Sequence, residues 1–233
     1  MSALKRSLNL VLLGMLAACA APPPNRGPAE RAPAQPGPPA GAEVFRVDAE
    51  QSEIRVLVYR AATLANLGHN HVIVFHPSRG WIAWAVPLAR STLRIEVPVD
   101  TAQVDDPAMR REEGTDFPGE IDANAKSGTL HNMLSEALLD GGHFPAVIIA
   151  AGATGAAAQV DDMLSATLRL SVAGHESSVT VPVKVERSGR LLTASGSISL
   201  TQSDLGLKPF SIMLGALQVQ DRMNVKFRIV ANQ

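Results

Sequence analysis

The sequence predicts a mainly β fold: an antiparallel sheet closed into a barrel, with one packed α-helix. Three observations predict it. Short apolar alternations of period two recur from Glu43 onward, turn residues separate them, and a single stretch breaks the period. In "LSATLRLSV" Leu164, Ala166, Leu168, Leu170 and Val172 share one face, while Ser165, Thr167, Arg169 and Ser171 share the other. "VTVPVKV" repeats the pattern with Val179, Val181, Val183 and Val185, and "RMNVKFRIV" with Met223, Val225, Phe227 and Ile229. One dry face and one wet face mark strands of an antiparallel sheet. Further strands are expected at 44–48, 52–60, 70–76, 80–86, 92–99, 145–152 and 192–200, about ten in all. That many half-dry strands in an open sheet would expose apolar surface and edges, so the sheet closes on itself or pairs with a second one. The exception is "SGTLHNMLSEALLD", where Leu130, Met133, Leu134, Ala137 and Leu138 recur at helical spacing after Ser127, a capping residue type.

At 233 residues and 46% hydrophobic, the chain is long enough for one sizeable core without staples. Its 21 basic and 22 acidic residues are interspersed, so no block of charge points to a nucleic-acid partner. The few aromatics, six Phe, two Trp and one Tyr, mean that any lumen would be lined mainly by aliphatic side chains. Such a lumen suits an aliphatic guest, and the same side chains would equally make a dense core.

The N-terminus has a different character. Lys5 and Arg6 precede an apolar run from Leu8 to Leu16 and then small residues, the order of an export signal, and the run is short for a membrane span. The single cysteine, Cys19, follows Leu16-Ala17-Ala18, and this "LAAC" resembles the bacterial lipobox, whose cysteine becomes the lipid-modified, palmitate-bearing first residue of the mature chain. The alternative at this point is an ordinary signal peptide cleaved after an Ala-x-Ala-like site, which would leave a soluble periplasmic protein. A lone cysteine forms no internal disulfide, which agrees with a lipid role. From Ala20 to Ala42 the chain holds eight of its sixteen prolines and no aliphatic residue larger than alanine, so it builds no core and acts as an extended tether. The expected organisation is therefore a lipoprotein signal peptide at 1–18, a Pro/Ala-rich tether at 19–42 and a barrel domain at 43–233. Ala20 rather than aspartate follows the cysteine, which points to the outer membrane under the usual sorting rule for such proteins.

Within the domain, four pieces recur in a telling order. "FRVDAEQSEIRVLVYRA" carries Asp48 and Ser52, and "MLSEALLDGGHFPAVIIAAG" carries Asp140, Phe144 and Pro145. "LRLSVAGHESSVTVPVKV" turns at Gly174, and "SDLGLKPFSIMLGALQVQDRMNVKFRIV" carries Asp204, Gly206 and Asp221. Together they resemble the YceI-like family of exported, lipocalin-like β-barrels associated with polyisoprenoid chains. Asp48 and Ser52 fall in its "VDPxHSxV" pattern, Asp204 and Gly206 in its "DFG" position, and Asp221 in its final "VxDxV" element. The chain departs from the family at Gln202, where an arginine precedes "DFG", at Leu205, which replaces an aromatic, and over "DDPAMRREEGTDFPGEIDANAKSGTLHNM", which stands in place of an "RDxHL" region. The resemblance implies a barrel that takes an apolar, lipid-like ligand.

Catalytic chemistry finds little purchase. There is no G-x-S-x-G elbow, and the cysteine is placed for lipidation. Glu112, Glu113, Asp116, Glu120 and Asp122 read as a solvated loop rather than as a buried acid–base pair. "LGHNH" raises a metal or haem reading. On an extended strand His69 and His71 would point the same way, about 6.6 Å apart, and could chelate one ion. Against it stands turn chemistry, with Gly68 and Asn70 permitting a bend and the histidines bonding to nearby carbonyls. The expected function is that of a membrane-tethered periplasmic binding or carrier protein for an isoprenoid, quinone or other lipid, without enzymatic activity or cofactor. Its ligand is expected to meet Leu168, Leu170, Val181, Val183, Val225 and Phe227. The rivals are a structural or interaction module with a side-chain-filled barrel, and a metal or haem protein using His69 and His71.

Overall fold

The computed structural model describes residues 37–152, 158–160 and 163–233; the expected export signal, Cys19 and the expected tether up to residue 36 lie outside them. Six strands come first: β1 (Glu43–Val47), β2 (Glu53–Ala61), β3 (His71–Phe75), β4 (Arg79–Trp84), β5 (Thr92–Pro98) and β6 (Gln103–Val104). Helices α1 (Pro107–Glu113) and α2 (Ala123–Leu134) follow. The rest is strand: β7 (Ala146–Ala151), β8 (Ala158–Val160), β9 (Met163–Val172), β10 (His175–Ser188), β11 (Leu191–Thr201), β12 (Ser211–Ile212) and β13 (Leu217–Asn232).

Pairing is antiparallel throughout and runs β1-β4-β5-β7-β9-β10-β11-β13 before returning from β13 to β1, which closes an eight-stranded barrel. Three of its walls are bent strands. Arg46 of β1 lies opposite Asn232 and Ile54 of β2 opposite Phe227, so β1 and β2 run along one edge of β13 with a break at 48–52. β3 and β4 continue each other in the same way across 76–78, as do β5 and β6 across 99–102.

The first break shows why Asp48 and Ser52 stand where they do. Asp48 Oδ1 accepts the N–H groups of Glu50 and Gln51 at 3.1 Å, an Asx turn that reverses nothing but offsets the chain. The fully buried Ser52 hydroxyl then stands in for the missing ladder, accepting from Val230 N–H at 2.9 Å and donating to Val230 O at 3.2 Å. The β9–β10 hairpin turns on Ala173 and Gly174, both at positive φ (47° and 78°), the geometry of a two-residue primed turn.

The helical region corrects two expectations. Ser127 is not the cap: α2 begins five residues earlier than that cap implies, where Asp122 Oδ1 accepts from Asn124 and Ala125 N–H at 2.9 and 3.0 Å. Nor is the acidic stretch wholly a solvated loop. Asp106 caps α1 by accepting from Ala108 and Met109 N–H, with Pro107 in the first turn, where its missing N–H costs nothing. Arg110 and the Glu113 side chain are buried, the latter against Arg55 and Lys226 on the barrel wall. α2 and the turn after it carry Met133 and Leu139 into a buried cluster with Ile73, Val99, Ala102 and Val172, joined by Leu130, Leu134 and Leu138.

Candidate functional site

Alternation along the strands sends one face of each inward, and in most small barrels those side chains would meet and exclude water. Here they do not meet. Leu164, Ala166, Leu168 and Leu170 of β9 face inward yet are only half-buried, and the interior encloses a cavity of about 320 Å³. An engineered apolar cavity of roughly 150 Å³ stays dry and admits benzene, so the barrel has room for on the order of a dozen carbon atoms. Among the described residues no charged side chain lines the cavity. Its two polar side-chain amide and hydroxyl groups are already engaged: Gln202 Nε2 donates to Gln220 O at 2.8 Å, and the Ser91 hydroxyl bonds the Ala85 backbone across the 85–91 loop. Leu168, Leu170, Val181, Val183, Val225 and Phe227 all line it.

The two ends differ. At one, Met133, Leu139, Leu205 and Gln202 are each at most 8% exposed, and α2 with its following turn closes the wall. Towards the other, the lining passes to half-buried Trp84, Leu88, Ser91 and Leu164, with the exposed side chains of Val86, Met163 and Leu191 close by in the chain. Arg187 lies over the rings of Phe45 and Trp84 at 5.1 and 5.3 Å and forms an ion pair with Glu43, where the chain enters β1.

The sequence-based selection of lining residues was incomplete. Ile54, Val56 and Val58 of β2 line the cavity through the same alternation, visible in "EIRVLVYRA". Gln202 carried no such signal, because it lies past the end of β11 and its inward position is set by the 3-10 turn Ser203–Leu205, held by Asp221 through Ser203 N–H at 2.9 Å.

The histidines belong to a different region, outside the lumen. Only His71 enters β3; His69 precedes the strand, and their ring centroids are 6.3 Å apart. Asp105 is fully buried at φ 54° and, as a carboxylate, only accepts: from His71 Nδ1–H at 2.6 Å, Val72 N–H at 2.9 Å and Arg110 Nη1 at 2.6 Å. Burial works to raise the Asp105 pKa, yet the hydrogen bonds from His71, Val72 and Arg110 hold it below the ordinary carboxylate value. Arg110 spends its other donors on the carbonyls of Asn70, Pro118 and Gly119. The cluster thus ties β3, β6, α1 and the 114–122 loop together. His76 Nδ1–H donates to Ser52 O at 2.8 Å and braces the first wall break. Among the described residues no three His, Cys, Asp or Glu side chains are grouped to hold a metal ion. A second concavity, about 480 Å³ and open to solvent, lies on the outer wall between Tyr59, Phe117, Asn224 and Lys226 and is half polar.

A closed antiparallel barrel around a cavity lined by aliphatic side chains is the lipocalin-like architecture. The more specific assignment comes from sequence: the model of the YceI-like domain matches residues 45–231, and the chain belongs to that family. Among solved structures it is similar to Burkholderia cenocepacia BcnA, with 15% identity, 80% of this chain and 99% of that one covered and a TM-score of 0.54. It is also similar to a polyisoprenoid binding domain from Saccharophagus degradans implicated in plant cell wall breakdown, with 10% identity, 81% and 97% coverage and a TM-score of 0.50. At these identities the likeness is one of fold. Four-fifths of this chain spans nearly the whole of each of those proteins, and Gly37–Gln233 form one compact unit. Comparison with curated proteins finds no match.

Proposed function

We propose that this chain is a binding or carrier protein for an apolar, chain-like lipid, an isoprenoid or a quinone, held in the barrel and tethered to the periplasmic face of a bacterial membrane through Cys19. The observation that carries the reading is the cavity, about 320 Å³, in whose wall no described residue carries a charge. Burying an unpaired charge in such surroundings costs several kcal/mol, so the enclosed part of the guest is neutral and a phosphorylated head stays outside. A chain of on the order of a dozen carbons fills the space, which leaves the rest of a long isoprenoid projecting. That the Saccharophagus degradans protein of the same fold is a polyisoprenoid binding domain supports this ligand class. The anchor rests on the order of Lys5-Arg6, the apolar run and "LAAC", and the proline-rich stretch supplies the spacer. No catalytic step is assigned to the barrel.

Mass spectrometry of organic extracts from protein purified out of its native envelope is expected to recover a polyprenyl species in stoichiometric amount. Protein that carries no lipid and takes up neither polyprenol nor quinone from detergent refutes the carrier reading. For the anchor, Cys19→Ala is expected to move the folded domain from the membrane fraction to the soluble periplasm, and a variant that stays membrane-bound after a salt wash refutes it.

A further inference from the structure

Eight large apolar side chains are exposed among the described residues, and four of them sit on two joined loops. Leu67 belongs to the 3-10 turn Ala65–Leu67 after β2, while Ile212, Met213 and Leu214 run from β12 into the 3-10 turn Met213–Gly215 ahead of β13. Leu64 N–H donates to Ala216 O at 2.8 Å, and Ala61 pairs with Gln218, which fastens one loop to the other. Leu67, Ile212, Met213 and Leu214 are 69, 42, 63 and 109% exposed. Single exposed leucines are normal on a protein surface; a cluster of four is not.

Their backbone adds a second, independent observation. Met213 and Leu214 both sit in the left-handed region, at φ 52° and 55°, which side-chain-bearing residues occupy only at a cost. Turn bonds enforce it: Ala216 N–H donates to Met213 O at 3.1 Å, and Ile212 pairs with Leu217. The fold therefore spends strain to hold two large apolar side chains in water, a combination that marks a contact surface.

Charge identifies the contact. Between the flanking acids Asp204 and Asp221, the second held by Ser203, the segment 205–220 carries one full charge, the cation Lys208; 61–70 carries none, and Arg60 stands at its base and donates through Nη1 to Gly68 O at 2.9 Å. An apolar tip backed by cations is the chemistry of a bilayer surface, with the side chains entering the boundary between headgroups and acyl chains and the cations facing anionic headgroups. We infer that Leu67, Ile212, Met213 and Leu214 form a membrane-docking tip that seats the barrel on a lipid bilayer. Leu205 and Leu207, at the start of the same segment, line the cavity at the end that α2 closes, so the docking stands apart from lipid exchange and does not rest on the carrier reading.

The test uses residues 37–233, which lack both the apolar run and Cys19, with vesicles of equal parts phosphatidylcholine and phosphatidylglycerol. The wild type is expected to co-sediment. Met213→Ser combined with Leu214→Ser should weaken binding about a hundredfold, roughly tenfold for each large side chain removed from the bilayer. Leu214→Gly separates docking from folding, because glycine suits the left-handed backbone: it should lose roughly tenfold in binding while its melting temperature holds or rises. Val86→Ser, removing a side chain that is 80% exposed on another loop, should leave binding unchanged. The inference is overturned if the wild type does not bind vesicles, if the tip variants bind as well as it does, or if sedimentation velocity shows a dimer that the double variant abolishes, which would assign the tip to a second copy of the chain. Uptake of a polyprenol from detergent micelles should survive in every tip variant. Its absence in all proteins, wild type included, refutes the carrier reading and leaves docking standing.

Discussion

Replacing Ala166 and Ala194 together by phenylalanine is expected to abolish lipid uptake while leaving the barrel folded. Both alanines line the cavity, on β9 and β11. Each substitution adds a benzene-sized ring, and since benzene occupies an apolar cavity of roughly 150 Å³, two rings claim roughly 300 Å³. The barrel offers about 320 Å³, so the rings take the place of the guest with little left over. A filled barrel would respond differently. Overpacking a dense core costs about 1–3 kcal/mol per site. At about 2–4 °C per kcal/mol for a domain of this size, two sites would lower the melting temperature by roughly 4–24 °C. A hollow barrel lowers it little or raises it, because each ring leaves water for apolar surroundings, a gain of about 1.5–3 kcal/mol. Thermal melts followed by circular dichroism and titration with a fluorescent polyprenol read the two quantities separately. A fall in melting temperature of the stated size with uptake intact would refute the claim that this cavity is the binding site.

Asp105→Ala should cost about 3–5 kcal/mol in urea unfolding, because it strands the buried Arg110 guanidinium without its carboxylate. The lowered pKa of Asp105 means that its stabilising contribution is complete above the ordinary value of 3.8 and is lost as pH falls through the lower folded value. Melting temperature should therefore drop below about pH 4, and less steeply in Asp105→Asn; equal slopes would contradict the assignment. Gly196→Ala should destabilise by about 1–3 kcal/mol, since an added Cβ would stand 2.3 Å from Pro182 O and 2.9 Å from the Phe227 ring, and a neutral result in chemical denaturation would show that the wall yields there. His71→Ala should cost about 1.5–3 kcal/mol as a lost hydrogen bond to a carboxylate, with zinc or chelator leaving the wild-type melt unmoved; a zinc-dependent rise that His71→Ala abolishes would restore the metal reading.

Strands were legible wherever one face was dry, because period-two patterning reflects the physical difference between inside and outside. β9 read correctly along nearly all of its length for that reason, and β10 and β13 over about half of theirs, Val179–Val185 and Arg222–Val230. The helices were harder. α2 has apolar residues crowded at its C-terminal end, so spacing located Leu130 to Leu134 but ran on to Leu138, past the helix end into the turn that follows, and missed the first turn, whose only signal is Asp122 two residues ahead of Asn124. α1 shows "DDPAMRREE", a capping aspartate followed by proline, which is a sound helix start. What hid it was the density of charge: Arg110 and Glu113 look solvated until the structure supplies Asp105, Arg55 and Lys226 as partners from elsewhere in the chain. Long-range ion pairs leave no local trace in a sequence.

The hollowness of the barrel was illegible for a different reason. An inward aliphatic side chain looks the same in sequence whether it touches another across a packed core or faces empty space, and only the distance between opposite walls separates the two. Here that distance is set by features away from the lining: eight strands in the ring, and wall breaks at 48–52, 76–78 and 99–102 that bend three strands. The small lining residues Ala166 and Ala194 then leave the middle unfilled. Buried clusters gather around Phe45, Ile82 and Leu192, around Met133, Leu139 and Val172, and on the wall between them around Ile95, Val97 and Ile229. Leu164, Ala166, Leu168 and Leu170 of β9 are nonetheless left half-buried at the cavity. A guest that enters can therefore replace contacts the protein never had, so binding should stabilise the fold without requiring the walls to move.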